Sequence, residues 1–285
     1  MAETERDLIL SFRCPDRPGI VAAVSSALNA AGGDIRDAVS YGDEETSIFF
    51  VRMHLRLPAA SEAAFRAALG RIARDMGLDW EMRDWRRKSR VLIAVSKFDH
   101  CLVDLLHRWK TGALNVEIPA VVSNHETTRD FVEWHGIPFH HLPVTEKTRA
   151  RQEAALLGLI GELKIDLVVL ARYMQVLSPE MCARLAGKCI NIHHSFLPSF
   201  KGARPYHQAH ARGVKLIGAT AHYVTSDLDH GPIIEQDVRR VSHATSAREM
   251  IAIGREIEAS VLARAVRWHT EHRIQLNGAK TVVFA

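Results

Sequence analysis

From residue 90 onward the chain repeats one pattern, a short run that is almost wholly apolar followed by a longer segment with helical spacing. The runs fall at Arg90–Ser96, Ala120–Val122, Phe139–Val144, Asp166–Leu170, Cys189–His193 and Leu216–Val224, with helix-like stretches such as Arg149–Leu163 between them. Strands that are apolar on both faces must be covered on both faces. The pattern therefore predicts a Rossmann-like α/β architecture, a doubly wound and mostly parallel sheet with helices on each side. In such sheets ligands bind beyond the carboxyl ends of the strands. A long last helix is expected over Ser246–Glu271 and a tail strand near Thr281–Phe284.

The first 85 residues follow a different rhythm. Asp7–Cys14 reads as a strand, and Asp16-Arg17-Pro18-Gly19-Ile20 as a tight turn into an Ala-rich helix that stops at Gly32 and Gly33. A strand through Val39, an alternating strand over Ser47–Leu57, a helix over Ser61–Met76 and a closing strand over Leu78–Arg83 complete a βαββαβ order. This makes residues 1–85 a separate small unit, joined by a linker at Trp85–Ser89 to a second unit, residues 90–285. At the first turn Gly19 lets backbone approach a ligand, and the helix start offers unpaired N–H groups to a carboxylate. The plainer reading has Asp16 capping the helix and Pro18 starting it.

Polar chemistry is concentrated in Cys189–Pro198, CINIHHSFLP, and in the later run SDLDHGPII. On a strand Ile190 and Ile192 face a core, which leaves Asn191 and His193 together on the opposite face. An Asn amide can donate to a developing oxyanion and a His can pass a proton near neutral pH. Asp229, in a loop closed by Gly231 and Pro232, supplies a carboxylate that can project into a cleft. Each residue alone has a plain alternative: a turn cap, a satisfied core histidine, a turn residue. The 16 histidines raise a metal site built from His193, His194, His207, His210, His222 and Asp229. No His-Glu-x-x-His or Cys-rich ligand spacing supports it, and His193 and His194 are expected on opposite faces of their strand, so no metal is expected.

The strings NIHHSFLPSFKGARPYHQA and GATAHYVTSDLDHGPII resemble the folate-dependent formyltransferase and formyl-hydrolase family, whose pattern is Asn-x-His, Leu-Pro, Lys-Gly, then Asp-x-Gly-Pro. By that resemblance Asn191, His193 and Asp229 hold the catalytic positions. The run ARYMQVLSPE, residues 171–180, looks like the family's folate-site loop. The resemblance puts Met174, Gln175, Val176 and Leu177 against the pterin, together with the loop carrying Thr225 and Asp227; core packing is the plain alternative for Met174 and Leu177. Two features point to hydrolysis rather than transfer to a phosphorylated amine. VLIAVSKFDHCLVDLL lacks a Gly-rich turn to cradle phosphate, and His194 stands where the transferases of the family carry proline. The chain is identified as a member of the formyltetrahydrofolate deformylase subfamily. The implied reaction is hydrolysis of 10-formyltetrahydrofolate to formate and tetrahydrofolate by a water deprotonated between His193 and Asp229, feeding formate to purine synthesis. Formyl transfer to an amine acceptor is the alternative. No cofactor is implied besides the folate substrate. The βαββαβ unit resembles the ACT domain, which implies an amino-acid effector at Asp16, Gly19 and Ile20 and a homo-oligomer. A sensor that binds folate without turning it over is a reading of another class.

Composition agrees with these expectations. The chain has 285 residues, 47% of them hydrophobic, enough for two cored units. Its formal net charge of +4 is spread among 33 acidic residues, so weak attraction to anions is expected and nucleic-acid binding is not. Cys14, Cys101, Cys182 and Cys189 lack disulfide or Cys-x-x-Cys spacing, there is no apolar run long enough to span a bilayer, and the opening MAETERD is charged. A cytoplasmic protein without membrane contact is the expectation.

Overall fold

The computed structural model describes residues 5–145, 147–197 and 205–285. It divides into two compact units. One comprises Met1–Lys88 with Glu271–Gln275 and Val282–Ala285, the other Ser89–Thr270 with Leu276–Thr281.

The first unit runs β1 (Glu5–Pro15), α1 (Ile20–Ala30), β2 (Asp34–Asp43), β3 (Ile48–Pro58), α2 (Glu62–Met76) and β4 (Asp79–Asp84). The sheet order is β2-β3-β1-β4, antiparallel throughout. Leu8, Leu10 and Phe12, alternate residues of β1, pack with Ile20, Val24 and Leu28, one helical turn apart on α1, and with Phe65 and Leu69 of α2. The helix cap at the first turn is Gly19 at φ +92°, with no side-chain cap bond. The plain reading of Asp16 as the cap is therefore corrected: a left-handed glycine turns the chain directly into the helix. Ile20 is a core residue of this unit, so any ligand contact from it is confined to its backbone.

The chain's tail returns to this unit, a difference from the 90–285 range read along the sequence. The cause is Arg52, almost fully buried on β3. Its Nε donates to the carbonyl of His272 and its Nη2 to that of Glu271, both at 3.1 Å, while Gln275 Nε2 donates to the Val51 carbonyl at 2.8 Å. Helix-end carbonyls thus satisfy a buried guanidinium.

The second unit continues β5 (Ser89–Val95), α3 (His100–Lys110), β6 (Val116–Ser123), α4 (Arg129–Trp134), β7 (Phe139–His141), α5 (Arg149–Glu162), β8 (Leu167–Ala171), α6 (Pro179–Arg184), β9 (Cys189–His193), α7 (Pro205–Ala211), β10 (Leu216–Tyr223), β11 (Ile233–Arg240) and α8 (Ala247–Thr270), followed by the hairpin of β12 (Ile274–Asn277) and β13 (Lys280–Val283). The seven-stranded sheet has the order β11-β10-β9-β8-β5-β6-β7. Strands β9, β8, β5, β6 and β7 are mutually parallel; β10 is antiparallel to β9, and β11 to β10. Every residue of Val91–Val95 and of Leu167–Ala171 is buried, as strands covered on both faces require. Strand β11 was not among the expected elements. It is an edge strand with only Ile234 buried, so it shows no apolar run.

Candidate active site

Strand β9 has the expected alternation: Ile190 and Ile192 are buried in the core, and Asn191 and His193 face the other way, half-buried. The neighbouring strand completes the site. In the antiparallel register His222 of β10 lies opposite Asn191, and Thr220 opposite His193. Directly opposed residues present their side chains together on one face. Asn191 Nδ2 is 3.3 Å from His222 Nε2, and His222 Nδ1 is 2.9 Å from the Tyr223 carbonyl. A carbonyl only accepts, so Nδ1 carries the proton. In the neutral ring Nε2 is then the acceptor for one Asn191 N–H, which leaves the second N–H free for a ligand. Sequence reading placed His222 only among possible metal donors. The signal that could have found it is the polar pair Thr220 and His222 at period two within an otherwise apolar strand.

Asp229 reaches the same place from the loop after β10. Its Oδ1 lies 3.2 Å from His193 Nδ1 and 3.7 Å from His222 Nε2. The carboxyl is held well below the usual carboxylate range, first of all by the hydrogen bond from His193. Burial works against this, and the His193 contact dominates because the His222 separation exceeds hydrogen-bond length. Two backbone features aim the carboxylate. Asp229 has φ +59°, a left-handed conformation that Asp tolerates better than most residues. Gly231 passes so close to Tyr223 that a Cβ there would overlap its carbonyl oxygen. The direct contact between His193 and Asp229 corrects one expectation, because no water fits on the line between the two groups.

His194 also departs from expectation. Strand β9 ends at His193, so the strict alternation of faces stops there, and the two imidazoles stack at 4.9 Å with an interplanar angle of 29°. Burial, then the positive charge of Arg172 and His193, pushes the His194 pKa down to about 4. The loop that follows is tied down from below. Thr220 Oγ1 accepts from the Leu197 backbone N–H and donates to the Ser195 carbonyl, and Gln236 of β11 donates to the Leu197 carbonyl. Lys201 and Gly202 of the family pattern lie outside the described residues.

The loop after β8 is held by α5. Gln152 Nε2 donates to Tyr173 Oη at 2.9 Å, Glu153 Oε1 accepts from the Ser178 backbone N–H at 2.8 Å, and Arg149 Nη2 donates to the Val176 carbonyl. Ser96, at the end of β5, accepts from the Met174 backbone N–H at 3.0 Å. Held this way, the loop presents Met174, 54% exposed, and Val176, 55% exposed, to solvent. Core packing is thereby excluded for Met174. Leu177 does pack against the core cluster, and Gln175 is half-buried. On the other side, Thr225 Oγ1 donates to the Asp227 carbonyl, and Leu228 is 61% exposed beside Asp229. The exposed apolar side chains thus sit on the loop that follows β8 and on the loop that carries Asp229.

A second polar group, absent from the sequence reading, stands at the ends of β5 and β8. Glu258 of α8 is 1% exposed; its Oε1 accepts from Tyr206 Oη at 2.7 Å and its Oε2 from His100 Nε2 at 2.8 Å, with Arg172 Nε at 3.4 Å. Burial opposes its ionisation, but the His100 bond, the Arg172 charge and the Tyr206 bond together hold the carboxyl below its ordinary value. Donor atoms of His100, Cys101 and Glu258 lie within 4.8 Å of one another. The guanidinium of Arg172 already supplies the positive charge a cation would bring, so the donor set fits an ion pair better than a metal. Among the six residues weighed as metal donors, His207 and His210 are exposed on α7, and His193, His222 and Asp229 are engaged with one another.

A family model described as "Formyl transferase" matches residues 89–266, and one described as "ACT domain" matches residues 8–68. The formyltetrahydrofolate deformylase of Corynebacterium sp. (strain P-1) is 49% identical over 277 residues, covering 96% of this chain and 97% of the relative. The crystal structure of a formyltetrahydrofolate deformylase from Pseudomonas syringae pv. tomato superposes with a TM-score of 0.95 at 48% identity, over 100% of this chain and 96% of that one. A phosphoribosylglycinamide formyltransferase from Anaplasma phagocytophilum matches with a TM-score of 0.63 at 28% identity, over 70% of this chain and 96% of its own. Among the described residues no helix is long and apolar enough to cross a membrane. With both domains matched and relatives at this identity over nearly the whole length, the chain belongs to the formyltetrahydrofolate deformylase family.

Proposed function

We propose that this chain hydrolyses 10-formyltetrahydrofolate to formate and tetrahydrofolate, with Asn191, His193 and Asp229 as the catalytic residues. The observation that carries the reading is the 3.2 Å contact between His193 Nδ1 and Asp229 Oδ1 on the face shared by Asn191. With Nδ1–H donated to a carboxylate, His193 Nε2 carries the lone pair and takes a proton from water. The hydroxide adds to the formyl carbon, and the oxygen that becomes negative accepts from the free Asn191 N–H. Asp229 stabilises the imidazolium while it lasts. Collapse breaks the C–N bond, returns the proton from His193 to the folate nitrogen and leaves formic acid, which ionises to formate by releasing the second proton of the water to solvent. Water enters and two products leave with atoms balanced, and no step calls for a metal.

Met174, Gln175, Val176 and Leu177 on one loop and Thr225 and Asp227 on the other form the folate site, where the exposed apolar side chains would be covered by the pterin. The first unit is read as an amino-acid sensor working through the Asp16–Ile20 turn in a homo-oligomer. Transfer to an amine is disfavoured by the turn Ser96–Asp99, which has no glycine to admit a phosphate. Formate release from 10-formyltetrahydrofolate with no amine present tests the reading: hydrolysis gives stoichiometric formate, and its absence would reject it. The same assay with glycine and with methionine tests the sensor.

A further inference from the structure

The buried carboxylate of Glu258 plays no part in the mechanism above, yet the fold is shaped around it. Gly254 lies one turn before it on α8, and a Cβ there would overlap the ring of Tyr206, whose hydroxyl reaches Glu258. Arg172 adopts φ +62°, a left-handed conformation that residues with a Cβ rarely take. Its guanidinium lies 5.4 Å from the centre of the Phe98 ring, and Arg255 lies 5.8 Å from the same ring. Buried ion clusters of this sort are poor stabilisers compared with well-packed apolar residues, so their value lies in fixing geometry.

The place they fix is the edge of the active site. Leu170 of β8 is in register with Asn191, and Arg172 follows just past the end of that strand, where its charge acts on His194, the ring stacked on His193. Phe98 and His100 come from the turn after β5, the strand next to β8. The loop carrying Met174 to Leu177 leaves the carboxyl end of β8, and Asp229 is brought to His193 by the loop after β10, so the cluster flanks the site on its β5 side.

We propose that Phe98, His100, Arg172, Tyr206 and Glu258 form a wall that closes the β5 side of the site to amines and leaves water as the nucleophile that reaches the formyl carbon. The proposal rests on the hydrolysis reading and adds its specificity device. Hydrogen bonds at both carboxylate oxygens lock the side chains together, so the wall does not yield to an acceptor as a loose apolar lining would.

Glycinamide, the amine in the name of the Anaplasma relative, is the probe. The full-length protein is given 10-formyltetrahydrofolate with and without glycinamide, and formate and N-formylglycinamide are both quantified. Formate release without the amine is the control for hydrolysis itself; its failure would reject that reading and not the wall. The wild type is expected to release formate at the same rate in both arms and to form no N-formylglycinamide. His100→Ala and Tyr206→Phe, which remove different members of the wall, are expected to bring the ratio of N-formylglycinamide to formate to at least about ten times the detection limit that bounds the wild-type ratio, equivalent to at least about 1.4 kcal/mol of discrimination. The folate KM should stay unchanged in both, which a general loss of structure would not allow. Formyl transfer by the wild type, or folded variants that still release formate alone, would overturn the proposal. So would failure of both variants to fold, which would make the cluster a folding device.

Discussion

Replacing Asp229 by Asn tests the core of the catalytic reading with little collateral change. The amide keeps the shape of the carboxylate and an oxygen that accepts from His193 Nδ1, and Asn tolerates the φ of +59° at this position. What disappears is the negative charge 3.2 Å from the ring. At an effective dielectric constant of about 20 to 40, an imidazolium at that distance loses about 3 to 5 kcal/mol of attraction. The dielectric choice follows the side-chain exposures of 14% for His193 and 26% for Asp229, which leave the pair neither dry nor fully wet. In the proposed reaction His193 takes its proton from water as the bond to the formyl carbon forms, so the loss falls on kcat, by about 10²- to 10⁴-fold, with little change in the folate KM. Formate release coupled to a formate dehydrogenase measures both constants, and a thermal melt confirms folding. A folded Asp229→Asn protein within tenfold of wild-type kcat would refute the assignment of Asp229.

Asn191→Ala removes the oxyanion donor and is expected to lower kcat by about 10²- to 10³-fold in the same assay; a change confined to KM would make Asn191 a binding group. The His194 pKa of about 4 in the folded chain lies below its unfolded value of about 6.5, so as pH falls through 6.5 toward 4 the unfolded chain takes up a proton that the folded one refuses. Stability present at neutral pH is then lost, by about 2 kcal/mol at pH 5, and His194→Gln should remove that share of the pH dependence in urea melts at pH 7 and pH 5. Gly231→Ala must displace the Tyr223 carbonyl, with an expected destabilisation of about 1–3 kcal/mol and a disproportionate fall in formate release. Unaltered activity in that variant would show that the loop carrying Asp229 has slack.

The parallel half of the sheet was legible because buried strands announce themselves as apolar runs, and Val91–Val95 and Leu167–Ala171 are of that kind. Ile190 and Ile192 revealed the facing pair Asn191 and His193 by simple alternation. Strand β11 was hidden because an edge strand needs no apolar face. His222 and Glu258 were hidden for the opposite reason: both sit inside apolar elements, where one polar residue reads as noise until its partner is known. Glu258 did leave a trace, since it shares the buried stripe of α8 with Gly254, Val261 and Leu262. A carboxylate there implies a cation from elsewhere in the fold, but nothing along the chain says that the cation is Arg172, 86 positions earlier.

Asn191 and His222 meet across an antiparallel ladder, so their alignment is dictated by backbone pairing and not by the segment that joins their strands. Residues may be added to or taken from that connecting stretch without disturbing the pair, as long as the ladder keeps its phase; a one-residue slip would point His222 into the core. A family built on such a joint can vary the length between the two strands while the facing side chains keep their places.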